Sequence, residues 1–268
     1  MEVAPFEVKL LNEQKLPLII SVPHCGKRFP VELIDDFLPE KLIDLDDTDW
    51  LVDELYAFVY NLGIPMIKSN YHRWVIDLNR DPENKPLYND GRVITALCTT
   101  TDFLGNTIYK DGRQSVSIEE TNRRKKLYFD SYHQALQKLI EETKNKFGYA
   151  IVWDCHSIRS IVPSIRSNRF PDLILGTADE QSASQVLIGT ALHQLKQSNW
   201  QVNHNEPFKG GYITRHYGQP TNHVHALQLE MCKDLYLMDD EKTWSEERAN
   251  RIQKLLFQTI KQISQTKP

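Results

Sequence analysis

Apolar residues along the chain recur in two patterns, and the two alternate. Short apolar-rich runs predict strands: PLIISV (17–22), which reads as buried, IPMIKS (64–69), RWVIDL (73–78), YAIVWD (149–154), DLILGT (172–177) and VHALQLEM (224–231). Between them apolar positions fall every third or fourth residue. Leu51, Leu55, Phe58, Val59 and Leu62 share one face of a predicted helix over 49–62, which Gly63 ends. Residues 119–147 predict a long helix with Leu136, Leu139 and Ile140 inward and Gly148 as its cap. Further helices are predicted over 182–197 and 241–264. Residues 81–115 have no period and are rich in Pro, Asn, Gly and Asp, so they predict a long irregular excursion of the kind that usually carries function. Strands alternating with helices predict a three-layer α/β/α sandwich around a mixed, largely parallel sheet, in one domain spanning 1–268.

In open sheets of this kind ligands bind beyond the carboxyl ends of the strands. The residues expected there are polar. PLIISV leads to His24, YAIVWD to Cys155, His156 and Ser157, RWVIDL to Asn79 and Arg80, and VHALQLEM carries Glu230 near its end. Neutral imidazole is a good zinc ligand, and a catalytic zinc takes three protein ligands with one position open. Two histidines at strand ends are therefore candidate ligands, although a single one reads more readily as a capped loop residue. The acidic run Asp46-Asp47-Thr48-Asp49 can supply a carboxylate ligand or cap the helix that follows it. Spacing alone does not choose between Asp47 and Asp49. Glu230 suits a general base, but strand alternation sets it with Ala226 and Gln228, a pattern that also fits a face turned to solvent. Arg80 suits a substrate carboxylate because guanidinium offers two parallel donors. Arg73, Arg159, Arg166 and Arg215 lie in similar polar turns, and Gly210-Gly211 permits a close backbone approach to a ligand. Cys25 and Cys155 adjoin the two histidines, but sequence neighbours on a strand point to opposite faces, which disfavours a thiol–imidazole pair.

Charge narrows the partners. With 32 basic and 36 acidic residues the net charge is -4, which gives no reason to expect nucleic acid or an anionic membrane. No apolar run approaches a membrane span, the first residues lack a secretory leader, and the four cysteines form no CxxC pair. A cytoplasmic protein is expected, and oligomeric state is left open.

Eight segments in order carry a family resemblance: SVPHCG (21–26), DDTDWLVDELY (46–56), YHRWVIDLNRDP (71–82), LCTTTDFLGNTIYKDG (97–112), WDCHSIRSIVPS (153–164), PDLILGTAD (171–179), FKGGYITRHYGQP (208–220) and HALQLEM (225–231). Together they resemble the N-formylglutamate amidohydrolase family, a branch of the zinc-carboxypeptidase-like hydrolases with a phosphorylase/hydrolase-like fold. The resemblance implies a divalent metal, with Zn2+ the expected ion, held by His24, His156 and Asp49, with Asp47 in reserve. It implies Glu230 as the catalytic carboxylate and Asn79-Arg80 as binders of a substrate carboxylate. The implied reaction releases formate from N-formyl-L-glutamate, the closing step of one histidine-degradation route. A small dicarboxylate needs a second cationic clamp, for which Arg159, Arg166 and Arg215 are candidates. The alternatives are hydrolysis of another N-acyl amino acid or small peptide, and a binding protein that keeps the pocket without the chemistry.

Overall fold

The computed structural model describes residues 3–85, 96–111 and 116–268. Seven strands form one mixed sheet: β1 (Phe6–Lys9), β2 (Leu18–Val22), β3 (Met66–Ser69), β4 (Ala150–Ile158), β5 (Leu173–Gly176), β6 (Val202–His204) and β7 (Val224–Cys232). Their order is β1-β3-β2-β4-β7-β5-β6. β3, β2, β4 and β7 run parallel, whereas β1 pairs antiparallel with β3 and β5 antiparallel with β7. The helices are α1 (Val31–Ile34), α2 (Pro39–Ile43), α3 (Val52–Leu55), α4 (Ile118–Arg124), α5 (Asp130–Phe147), α6 (Gln185–Leu195), α7 (Tyr212–Tyr217) and α8 (Glu246–Gln265).

Strand alternation divides the core into two layers. Leu18, Ile20, Ile151, Trp153, Leu227 and Leu229 face α3, α6 and α8. Ile19, Val152 and Ala226 face α5 and α7 on the other side. That is the expected three-layer sandwich. Near the carboxyl ends of β4 and β7 this second face turns polar, with Asp154 and His156 beside Gln228 and Glu230. The alternation that suggested a solvent-facing Glu230 therefore places it on the same face as His156.

Two predicted elements differ. RWVIDL (73–78) is not a strand. Trp74, Val75, Ile76 and Leu78 are buried, but the backbone turns: Val75 N donates to His72 O (2.9 Å), and Asn79 N donates to the Asp77 carboxylate (2.9 Å). A short apolar run reports burial, not ladder pairing. The predicted helix over 49–62 starts late and breaks up. Asp49 N donates to His24 O (3.0 Å), Leu51 takes a left-handed conformation (φ 59°), and only then does α3 begin. A 3-10 segment, Ala57–Leu62, follows and ends at left-handed Gly63 (φ 69°). No side chain caps α3, so the acidic run does not serve as a cap. The long helix of 119–147 holds as α4, a π turn over Lys125–Phe129, and α5. The excursion after residue 80 is irregular over 81–85 and 96–111, and the rest of it lies outside the described residues.

His133 on α5 is sealed beneath this layer, between the Tyr217 hydroxyl (2.9 Å) and Leu78 O (2.9 Å). Burial pushes its pKa down to about 3. The unfolded chain takes up this proton near the ordinary histidine value of 6.5 and the folded chain only near 3. Its contribution to stability is therefore complete above about 6.5 and is lost as pH falls toward 3, at up to about 1.4 kcal/mol per pH unit. Urea unfolding of His133→Gln should show a flatter decline across that interval than the parent protein. An equal slope in both would show that other groups control the acid limb.

Candidate metal centre

Three segments distant in sequence meet at one point. His24 lies in the turn after β2, Asp49 just before α3, and His156 within β4, which continues past the strand end expected at residue 154. One donor atom from each of the three lies within 4.8 Å of the others. His156 Nδ1 is 3.2 Å and His24 Nδ1 3.7 Å from the same Asp49 oxygen, Oδ2. All three side chains are buried.

The far side of each imidazole is held by a carboxylate. His24 Nε2 is 2.8 Å from Asp77 Oδ1, and His156 Nε2 is 2.8 Å from Asp154 Oδ2. These carboxylates are themselves anchored. Asp77 accepts from Arg73 Nη2 (2.5 Å), and Asp154 accepts from Ser21 Oγ (2.8 Å) and Asn79 Nδ2 (3.1 Å). An Nε2–H given to a carboxylate leaves Nδ1 with a lone pair directed at the shared centre, the arrangement that orients metal-ligating histidines. His24 Nδ1 is buried with no hydrogen-bond partner, an expensive state unless something binds there. Two imidazole nitrogens and a carboxylate oxygen at these separations fit a divalent cation.

Electrostatics separate the two histidines. Burial opposes the charge on Asp49 and Asp77, yet His156 and His24 hold Asp49 below the usual range, and Arg73 with His24 holds Asp77 well below it. Burial, followed by the Arg73 charge, depresses the His24 pKa. For His156 burial is outweighed by Asp154 and Asp49, and its pKa rises. Asp47 is employed elsewhere: Oδ2 accepts from Trp74 Nε1 (2.7 Å) and Oδ1 from Phe103 N (3.1 Å), with burial raising its pKa to about 6. Geometry therefore puts Asp49, not Asp47, in the cluster.

Glu230 is the register partner of His156 on the neighbouring strand. Burial raises its pKa to about 8, with His156 opposing and the Asp49 charge adding to the rise. A carboxyl group so poised can accept and return a proton near neutral pH.

The expected substrate clamps fare unequally. Asn79 is buried, and both ends of its amide are engaged: Nδ2 with Asp154, Oδ1 with Ile213 N (2.7 Å). It braces the site rather than presenting a donor to a ligand. The glycine pair serves that brace. A Cβ on Gly211 would lie 2.5 Å from the Asn79 amide, and Gly210 is left-handed (φ 104°). The close approach is thus to Asn79 and not to a ligand. Arg159 is ion-paired to Asp46 and to Glu241 (3.0 Å), which neutralise it. Arg80 is 3.8 Å from Asp77 and partly exposed, Arg166 is 3.9 Å from Glu206, and Arg215 Nε donates to Gly210 O (2.9 Å). Cys25 and Cys155 are buried with pKa values pushed well up by burial, which leaves them poor nucleophiles.

Asp77 and Asp154 were not singled out from the sequence. Asp154 had a signal, since residues two apart on a strand share a face and it precedes His156 by two. Asp77 had none, because it meets His24 across 53 positions of chain.

The sequence profile described as N-formylglutamate amidohydrolase matches residues 16–237. The chain belongs to this family. Among family members, the N-formylglutamate deformylase of Pseudomonas putida is 37% identical over 260 residues, 96% of either chain. That of Pseudomonas aeruginosa is 40% identical over 237 residues, 88% of this chain and 87% of its own. The crystal structure of N-formylglutamate amidohydrolase from Ralstonia eutropha superposes with a TM-score of 0.79 at 25% identity, covering 97% of each chain. An Agrobacterium tumefaciens protein of known structure shares the fold at 16% identity, with a TM-score of 0.74 over 97% of this chain and 96% of its own.

If the carboxylates behind the two histidines orient metal ligands, Asp77→Asn and Asp154→Asn should each weaken metal affinity about 10–100-fold. Competition with a chromophoric chelator measures this. Unchanged affinity in both variants would reduce Asp77 and Asp154 to packing roles.

Proposed function

We infer that this protein hydrolyses the formamide of N-formyl-L-glutamate to formate and L-glutamate, using a divalent cation held by His24, Asp49 and His156. The observation that carries the reading is the convergence of His24 Nδ1, Asp49 Oδ2 and His156 Nδ1 beside Glu230. The substrate follows from the Pseudomonas relatives named for this reaction.

The cation supplies Lewis acidity, which polarises the formyl carbonyl and acidifies water; zinc suits the donor set. Glu230 takes a proton from the attacking water and passes it to the departing nitrogen, so that one carboxyl group serves both half-steps. Asp77 and Asp154 hold the imidazoles in orientation, and Asn79 holds Asp154. Arg80, Arg166 and Arg215 are the candidates for a substrate carboxylate, Arg80 and Arg166 lying 3.8 and 3.9 Å from one protein carboxylate each, where Arg159 is paired with two. The buried free cysteines suit a reduced compartment, and we place the enzyme in the cytoplasm, at the close of a histidine-degradation route.

The test is formate release from N-formylglutamate by metal-replete protein, beside N-acetylglutamate and a dipeptide. N-formylglutamate should be turned over fastest. No formate from it would overturn the reading, and faster cleavage of either comparison substrate would move the protein to the wider class of N-acyl amino acid or peptide hydrolases.

A further inference from the structure

The segment SVPHCG enters the metal centre twice. His24 turns Nδ1 toward the shared point, and Ser21, on β2, reaches the other histidine indirectly. Ser21 is the register partner of Asp154 on β4. Neighbouring strands lie about 4.8 Å apart, and paired residues present their side chains on one face. Ser21 is fully buried, with Oγ 2.8 Å from Asp154 Oδ1 and 3.1 Å from the hydroxyl of Tyr132 on α5. Tyr132 is fully buried as well.

The direction of this chain follows from its protons. A serine hydroxyl has one to give. The carboxylate oxygen is the nearer and the stronger acceptor, so Ser21 donates to Asp154 and Tyr132 donates to Ser21. Burial pushes the Tyr132 pKa well up, so its hydroxyl keeps the proton that it shares. Donors then converge on Asp154 from both sides, Ser21 at Oδ1, with His156 Nε2 and Asn79 Nδ2 at Oδ2. A carboxylate fixed in this way holds the Nε2–H tautomer of His156 and leaves Nδ1 with its lone pair toward the metal point. Hydrogen bonds aligned in a buried chain also polarise one another.

The two histidines are thus held by different means. Behind His24, Asp77 accepts from the Arg73 guanidinium. Behind His156, Asp154 accepts from an amide and from a hydroxyl that is itself held by a second hydroxyl. A hydroxyl rotates to suit its neighbours, and Tyr132 fixes the one that Ser21 serves.

We propose that Ser21 is a positioning residue of the metal centre, oriented by Tyr132 and acting on His156 through Asp154. This rests on the reading of His24, Asp49 and His156 as a metal site.

The experiment measures the dissociation constant for Zn2+ by competition with a chromophoric chelator. It uses the parent protein, Ser21→Ala and Tyr132→Phe, then the same two substitutions made on Asp154→Asn. Each of the two removes a hydroxyl and little else. In the parent background each should weaken Zn2+ binding about 2–10-fold. On Asp154→Asn each should cost less than about twofold, because the contact through which it acts has gone. A contact that only supports the fold would weaken binding equally in both backgrounds. A loss of about twofold or more on Asp154→Asn, or a smaller loss than that in Ser21→Ala on the parent, would overturn the assignment. Tyr132→Phe leaves the strand untouched and is judged by the same limits if Ser21→Ala fails to fold. A loss confined to Ser21→Ala would remove Tyr132 from the chain. A parent protein that binds no Zn2+ would sink the metal reading itself, whereas a parent and a Ser21→Ala variant that bind it equally refute the serine assignment alone.

Discussion

Glu230→Gln should lower kcat for formate release by about 10²–10⁴-fold while bound metal and the affinity for glutamate stay near parental values. Gln keeps the size and hydrogen-bonding capacity of the side chain but neither accepts nor returns a proton. Glu230 is opposite His156 in the β4–β7 register and is not one of the three converging donors, so its replacement leaves that set intact. Elemental analysis beside steady-state kinetics separates the cases. Full metal with little turnover identifies the base. Surviving turnover would remove Glu230 from the chemistry and make a pocket-bearing hydrolase with another base the better account. Loss of metal together with activity would make Glu230 a ligand.

The second large effect distinguishes neighbouring carboxylates. Asp49→Ala should abolish stoichiometric metal binding and hydrolysis together, because it removes the one oxygen that both histidines approach. Asp47→Asn should keep the metal. Its carboxylate accepts from Trp74 and the Phe103 backbone, so its loss falls on stability. Exhaustive chelation of the parent protein should mimic Asp49→Ala, with activity restored on adding back a divalent ion. Metal retained in Asp49→Ala, or lost in Asp47→Asn, would reverse the ligand assignment. Activity that persists in chelated protein would exclude a metal requirement.

Much of this arrangement was legible in the sequence because it follows from local rules. The buried strands before His24 and His156 are unbroken apolar runs, and a polar residue following such a run needs a reason to be there. What escaped depends on contacts between distant segments. The choice between Asp47 and Asp49 turned on Trp74 and Phe103, which no spacing within 46–49 encodes. RWVIDL resembled a strand because Trp74, Val75 and Ile76 are buried, yet the backbone turns there and Asp77 meets His24 and Arg73. Asn79 looked like a ligand donor because its partners, Asp154 and the backbone after Gly211, lie 75 and more residues away. β1 and β6 are short, only partly buried strands at the margins of the sheet, where hydrophobic patterning is weakest.

The pairing of His156 with Glu230 is set by neighbouring parallel strands, so their separation is that of the backbone ladder, roughly 4.8 Å. A main-chain hydrogen-bond ruler does not shift when side chains on α5, α6 or α8 are exchanged. It can, however, be misread by one residue, which would turn Glu230 from the face it shares with His156 to the opposite, apolar face of the sheet. The spacing between His156 and Glu230 is therefore protected from drift in the packing layers, while the loops above the strand ends are free to change what is held there. Redesign of substrate preference in this scaffold should start with those loops and leave the β4–β7 ladder alone.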